Sequence, residues 1–577
     1  MGGSTMTKDS KIRIWLIVLW AGILANNFIW LRFNHTFFTY DSYRHFLASL
    51  KVYEILKHVS FSAVPLSIDT IQLHPPLVMI FTAPFYFLFG TAQNVSILAS
   101  SAVFLGVLLF SVYGIGFKLA GRKSGLLAAF IIGMYPVIFN QLKVYMLDLP
   151  LTAMVALSMY FLFACDDFKQ SRDSALFFIS VGLGMLTKST FIIFLAAPLG
   201  YAAGRGYFSL RRERGDLKGY VRRLIFFGIL ALVICAPYYS TNFYKVLSKV
   251  YPGYVEAWPT SVPSSGLLIN SLRGFLWYLW GFINWQVSFF FFLIFITGGY
   301  FFSRAEIKNK VFFWLWIIIP WVLTGYFRAA MGFNMEVTGV RYTMPLLPAI
   351  ALISAIGIMR IPFGKPRTFL IMLIAVFGIA QLIFVSYPLP VKVMSGRILS
   401  LKIPESAKKN YFLPDKIILL NFGSWAVSGS ASGSHPADYS EYSLADNQIL
   451  KTISSFGGGG EKTSIFIIPD NVRMWHLRYM AYLAGKPFQV FCDWNYMRAN
   501  MMAQRLNVFD MIADADYVID QEGKSMNEPY MRHFIESAEN NFSALKSRFI
   551  LLSRMDWPDG GKLLIYKKLN PSQKNEN

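Results

Sequence analysis

The sequence predicts a polytopic α-helical membrane protein of about eleven spans, followed by a C-terminal α/β soluble domain. Three observations carry this reading. Of 577 residues, 55% are hydrophobic, 17% aromatic and only 15% charged, whereas a soluble chain carries roughly 25% charged residues. Apolar runs long enough to cross a bilayer recur from residue 11 to residue 388. Much of the net charge of +22 sits in short loops between those runs, as in cytoplasmic loops that set orientation. The basic balance therefore implies a bilayer partner and no nucleic acid.

Lys11–Leu31 reads as the first, uncleaved span, with Lys8, Lys11 and Arg13 on its inner flank. Further runs cover about 96–118, 124–139, 150–165, 174–187, 190–204, 224–240, 286–303, 311–328, 342–359 and 368–388. The loops at 118–123, 205–223, 303–310 and 360–367 are short and basic, and placing all four in the cytoplasm gives a consistent alternation. The segment 75–90, with Pro84 at its middle, breaks that parity if it crosses fully, so it reads as re-entrant or half inserted. Residues 32–75 and 241–285 then form outer-face loops of a membrane domain, 1–390, and residues 391–577 form an extracytoplasmic domain. There 416–423, 463–470, 487–494 and 515–522 read as buried strands of a mostly parallel sheet, with helices between or after them, and 562–569 closes an edge. Cys165, Cys235 and Cys492 form no CxxC, so neither a disulfide framework nor a thiolate zinc site is expected.

Unusual polar residues gather on the face assigned as outer. Asp41 and Arg44 follow the first span, His74 precedes two prolines in LHPPL, and Asp148 sits in YMLDLP. Lys188 sits in GMLTKST, and Arg341 and Tyr342 open VRYTMPLLPA. Charged groups at such depth are costly unless paired or functional. Each has a plain structural alternative. Asp41 can N-cap the helix whose stripe is Tyr43, Phe46, Leu47, Leu50, Tyr53 and Leu56, a helix expected in the membrane interface, and Asp148 can cap its own helix. His74 can be a polar residue at a helix entry, and Lys188 and Arg341 can snorkel. The functional alternative is group transfer from a lipid phosphate. A carboxylate takes the proton of an acceptor hydroxyl, and cations stabilise the departing phosphate in a partly dry site. An apolar groove for the lipid would be lined by the aromatic region 271–302.

Together and in this order, these motifs resemble bacterial glycosyltransferases of the GT-C superfamily. The nearest branch is that of the dolichyl-phosphate-mannose–protein mannosyltransferases and the lipid A aminoarabinose transferases. The resemblance covers about residues 10–390. It implies a GT-C-like membrane domain in the inner membrane, with its active site and C-terminal domain on the periplasmic face. It implies a polyprenyl-phosphate sugar donor, a lipid, glycan or protein acceptor, and inversion at the sugar carbon. Asp41 matches the first-loop acidic residue proposed as base, and Asp148 the second-loop acidic residue that places acceptor or cation. His74, Lys188 and Arg341, with Tyr342 beside it, match positions near the donor phosphate. The loop 241–270, with Tyr251 and Glu256, would close over the acceptor as an outer loop does in relatives. Many relatives have an acidic pair where this chain has Asp41-Ser42, which leaves metal dependence open; a divalent cation, if used, would be held by Asp41 and Asp148. The signature WWDYG is absent, which argues against block transfer of an oligosaccharide to asparagine. The alternative class is a transporter or lipid flippase, which wants mid-membrane ionisable groups and an internal repeat; neither is visible here.

Overall fold

The computed structural model describes residues 8–33, 40–58, 74–250, 278–307, 309–330, 340–362, 364–387, 399–402, 416–420, 438–456, 463–469, 489–491, 508–522, 532–557 and 561–569, with a few isolated positions between them. The chain forms two compact units, Met1–His35 with Ala48–Gly433, and Thr36–Leu47 with Ser434–Asn577.

The first unit is helical. Its elements are α1 (Lys8–Phe33), α2 (Tyr40–His58, of which Ala48 onward belongs here), α3 (Leu77–Phe89), α4 (Gln93–Ala120), α5 (Arg122–Gly133), α6 (Pro136–Gln141) and α7 (Asp148–Ala164). There follow α8 (Ser171–Met185), α9 (Phe191–Arg212), α10 (Leu217–Val250), α11 (Ser288–Arg304), α12 (Lys310–Ala330), α13 (Leu347–Met359) and α14 (Gly364–Ser386). Among the described residues six helices are long and apolar enough to cross a membrane, or seven if the bent pair around Val287 counts as one span. The runs predicted at 150–165 and 174–187 form shorter helices, of 17 and 15 residues. The run read as one span at 124–139 breaks because Pro136 holds Tyr135 extended, which ends α5 after twelve residues. The α4–α5 hairpin turns on Gly121 at φ +84, a conformation that costs glycine little.

Burial separates the centre from the periphery. The window Arg341–Met359 is 89% buried, whereas those of α10 and α14 are 17% and 22% buried. Thus α13 is packed all round, while α10 and α14 turn large apolar side chains outward, as lipid-facing helices do. Close approach of α11 to α13 relies on glycine: a Cβ on Gly298 would lie 2.6 Å from the Ser354 Cα.

Helix α3 stays at one end of the bundle. Its thirteen residues span about 20 Å, short of the roughly 30 Å hydrocarbon core. The Leu77 N–H donates to the Leu186 carbonyl at 2.9 Å, Tyr145 donates to the Thr82 hydroxyl at 2.9 Å, and the Tyr86 hydroxyl bonds Ser96 and Ser49. Leu186, Tyr145 and Ser96 all belong to the end where α7 begins. The stripe on α2 is buried from Tyr43 to Leu50, and only its far end, Leu56, is exposed.

The opposite end of the bundle is tied by Arg205 of α9. Its Nε donates to Asp167 Oδ2 at 2.8 Å, its Nη2 pairs with Asp167 Oδ1, and its Nη1 reaches Asn309 Oδ1. Asp166, Asp167 and Phe168 all have positive φ.

Two short strands also belong to the first unit: β1 (Leu399–Lys402) pairs antiparallel with β2 (Lys416–Leu420). The strand predicted at 416–423 is therefore present but outside the main sheet. The second unit contains a five-stranded sheet of β3 (Ser464–Ile467), β4 (Gln489–Phe491), β5 (Tyr517–Glu522), β6 (Phe549–Asp556) and β7 (Lys562–Lys568), in the order β4-β3-β5-β7-β6. β4, β3 and β5 run parallel, and β7 and β6 antiparallel. The sheet is thus mixed, and the 562–569 strand lies inside it: β6, which the sequence reading missed, takes the edge. Helices α15 (Asp438–Ser455), α16 (Val508–Asp514) and α17 (Arg532–Leu545) accompany the sheet. α16 and α17 bury Ile512, Ala538 and Phe542 with Phe466, Val518 and Tyr566 of the strands. Most of the helix predicted between β3 and β4 lies outside the described residues.

Candidate active site

Four of the sequence-predicted residues converge at the end of the bundle where α7 begins. Asp148 is the first residue of α7 and 1% exposed. It does not cap its helix: Leu147 holds the cap position without a side-chain bond. The carboxylate instead turns to two cations. Lys188 Nζ donates to Oδ1 at 2.7 Å, and Arg341 Nε lies 3.5 Å from Oδ2, an ion-pair distance at which Oδ2 accepts no hydrogen bond. The Tyr342 ring lies beneath both cations, 5.1 Å from Lys188 Nζ and 5.5 Å from the Arg341 guanidinium carbon. Lys188 and Arg341 do not merely snorkel. They share one buried carboxylate, as cations held in a low-dielectric site must.

Local sequence explains the convergence. Lys188 stands in the tight turn between α8 and α9, where Thr187 N–H and Lys188 N–H both return to the Gly184 carbonyl. His74 opens the Pro-Pro segment that docks on this turn through the Leu77–Leu186 bond, so the LHPPL and LTKS motifs adjoin, and the His74 side chain is partly exposed. Arg341 and Tyr342 lie in a 3-10 turn, Val340–Leu346, that runs into α13. That turn is held by Gln286 Nε2, which donates to Thr343 Oγ1 at 2.8 Å, and by Trp316 Nε1, which donates to the Pro345 carbonyl at 3.0 Å.

The sequence reading missed these supports. Gln286 ends a π-helical turn, Phe282–Gln286, after which the chain bends by 110° into α11. Ser288 at the bend has φ +70, a strained value for a residue with a Cβ. The polar Asn284 and Gln286 inside an otherwise apolar run were the available signal. The turn 142–147 that delivers Asp148 is also anchored. Asn27 Nδ2 and Ser101 Oγ both donate to the Leu142 carbonyl at 2.8 Å. Lys143, 1% exposed, places its ammonium 4.9 Å from the Trp30 ring centroid.

Asp41 lies in the first turn of α2, which begins at Tyr40, and its side chain is outside the described residues. Tyr251 and Glu256 are outside them as well. Among the described residues no three His, Cys, Asp or Glu side chains converge. With two cations already facing Asp148, its immediate surroundings oppose a divalent ion.

The dolichyl-phosphate-mannose-protein mannosyltransferase family model matches residues 73–239, a segment that contains His74, Asp148 and Lys188. No curated protein matches the chain. Among solved structures, ArnT from Cupriavidus metallidurans bound to undecaprenyl phosphate is similar at a TM-score of 0.55 and 14% identity, covering 96% of this chain and 98% of that one. The apo state of that protein gives a TM-score of 0.52 at 16% identity, over 96% and 97% of the two chains. The chain thus has a fold similar to that of the ArnT structures, and its segment 73–239 matches the mannosyltransferase family model.

Proposed function

We propose that the protein moves a single sugar from a polyprenyl-phosphate donor to a hydroxyl, amine or phosphate of a lipid, glycan or protein acceptor, with inversion, on the outer face of the inner membrane. The observation that carries this is the cluster of one buried carboxylate, two cations and an aromatic ring at one end of the bundle. Two cations brought together at one point suit a lipid phosphate. The similar ArnT structure holds undecaprenyl phosphate, which supports a lipid-linked donor of that kind.

In the proposed reaction the acceptor hydroxyl gives its proton to the Asp41 carboxylate as its oxygen bonds the anomeric carbon. The bond from that carbon to the phosphate oxygen breaks, and polyprenyl phosphate leaves with the electron pair. Lys188 and Arg341 stabilise the charge that develops on it, and such preorganised cations act most strongly where water is sparse. Asp148 holds the two cations in register, and Tyr342 supports them from below. His74 adds a donor near the phosphate, and the loop with Tyr251 and Glu256 covers the acceptor. A divalent cation, if one takes part, would be held on the Asp41 side.

Transfer is tested with purified protein, radiolabelled polyprenyl-phosphate sugar and a membrane extract as acceptor. Wild type should release polyprenyl phosphate and label a product, whereas Asp41→Asn should insert normally and release none. Full release by Asp41→Asn would remove Asp41 as the base, and no release by wild type with any donor would overturn the reading.

A further inference from the structure

The hairpin between α9 and α10 carries cations that the transfer reaction does not use. Arg211 and Arg212 end α9, Arg214 follows at φ +54, and Lys218 and Arg222 stand one turn apart on α10. All five are exposed. The hairpin also contains two acids, and both are engaged locally. Glu213 accepts from Ser209 Oγ at 2.7 Å, and Asp216 Oδ1 accepts the Gly219 N–H at 2.8 Å. Among the described residues none of the five cations forms an ion pair.

The cations sit on a built turn. The Gly215 N–H donates to the Leu210 carbonyl at 2.8 Å, and the Tyr220 hydroxyl donates to the Ala203 carbonyl at 2.9 Å, tying the two helices together. A preformed turn displays its charges with less ordering cost than a flexible tail. Below it α10 is lipid-facing. Lys218 and Arg222 continue at helical spacing into Phe226, Ile229 and Val233, which are 65%, 53% and 63% exposed. One face of a single helix thus passes from two cations to an apolar stripe, matching the sequence of charges and chains in a phospholipid.

We propose that this face of α10, with the α9–α10 turn, is a binding site for an acidic two-chain phospholipid. The headgroup phosphate would rest on Lys218 and Arg222, with Arg211, Arg212 and Arg214 raising the local potential, and an acyl chain would lie along Phe226, Ile229 and Val233. Orientation by basic loops needs only the number of charges. It does not need both acids to be engaged locally, nor the cations to continue an apolar stripe.

The test uses the full-length protein in mild detergent, offered equal amounts of phosphatidylglycerol and phosphatidylcholine with matched chains. Bound lipid is counted by native mass spectrometry. Wild type should retain phosphatidylglycerol preferentially. Lys218→Gln with Arg222→Gln should lower that preference about 25-fold, at about fivefold for each cation near an anionic surface. Lys365→Gln, in the first turn of α14, should leave it unchanged. Equal retention of both lipids by wild type, or an unchanged preference in the double variant, would overturn the proposal. So would displacement of the lipid by millimolar inorganic phosphate, which would mark a site for a free anion. Should the double variant not fold, wild type decides alone: the preference must fall as salt is raised, and a salt-independent preference defeats the assignment.

Discussion

The two ends of the helical unit each join an aspartate to an arginine on a distant helix, and they do so to different effect. At one end Arg205 meets Asp167 through two donors and Asn309 through a third, so one cation faces one anion and the remaining donor meets an amide. That arrangement is closed: charge is balanced and the guanidinium fork is used. At the other end Asp148 faces both Lys188 and Arg341, its Oδ2 accepts no hydrogen bond, and Tyr342 underlies the two cations. There two cations gather on one carboxylate. A one-to-one pair that uses the guanidinium fork ties two helices together, whereas two cations drawn to one carboxylate concentrate positive charge at one point.

The largest expected effect separates the two aspartates. Asp148→Asn removes the buried carboxylate that Lys188 and Arg341 share and should cost about 3–5 kcal/mol of stability, with transfer lost. Asp167→Asn should also lower the melting temperature but leave the donor KM of the surviving folded protein unchanged. Equal shifts in donor KM for the two variants would erase the distinction. Next come the cations. Lys188→Ala and Arg341→Ala should each raise donor KM by about 10- to 100-fold, in keeping with about 1.5–3 kcal/mol for a bond to a charged group. A donor titration on purified protein reads this directly, and Arg205→Ala serves as the contrast, with lost stability and an unchanged donor KM. Tyr342→Leu should be milder, about 3- to 30-fold in the same assay, because a cation–π contact contributes about 0.5–2 kcal/mol.

The smallest expected effect concerns the turn that delivers Asp148. Burial pulls the Lys143 ammonium down to about 7 from its ordinary 10.5. Below about pH 7 both folded and unfolded chains hold the proton, and the burial penalty applies in full. As pH rises through about 7 the folded form sheds the proton while the unfolded form keeps it toward 10.5, so stability increases over that window. Lys143→Met should flatten this slope in melts taken from pH 6.5 to 9, and an unaltered slope would rule Lys143 out as its source.

Much of the fold was legible in the sequence for a simple physical reason. Lipid accepts no unpaired backbone polar groups, so apolar runs between 11 and 388 had to be helices. The strands at 464–467, 489–491 and 517–522 were legible as short apolar runs between turn signals. β6 was not, because five of its eight residues are Ser, Arg, Met, Asp or a leucine with a partly exposed side chain, as an edge strand permits. Proline broke the 124–139 run, and the bend at Ser288 was marked only by Asn284, Gln286 and Ser288 inside an apolar run.

For the candidate site, the sequence by itself determined which residues were too costly to leave unpaired in an apolar setting: Asp148, Lys188 and Arg341 stood out on solvation alone. Only the tertiary structure decided that they pair with one another over Tyr342, because that depends on the crossing of α7, the α8–α9 turn and the entry to α13, far apart in the chain. Tertiary structure also decided the supporting contacts of Gln286, Trp316 and Lys143, residues whose composition alone marks ordinary interior polar groups. Helix formation follows from local chemistry and lipid. A site made by side chains from distant helices follows from packing, which no single stretch of sequence encodes.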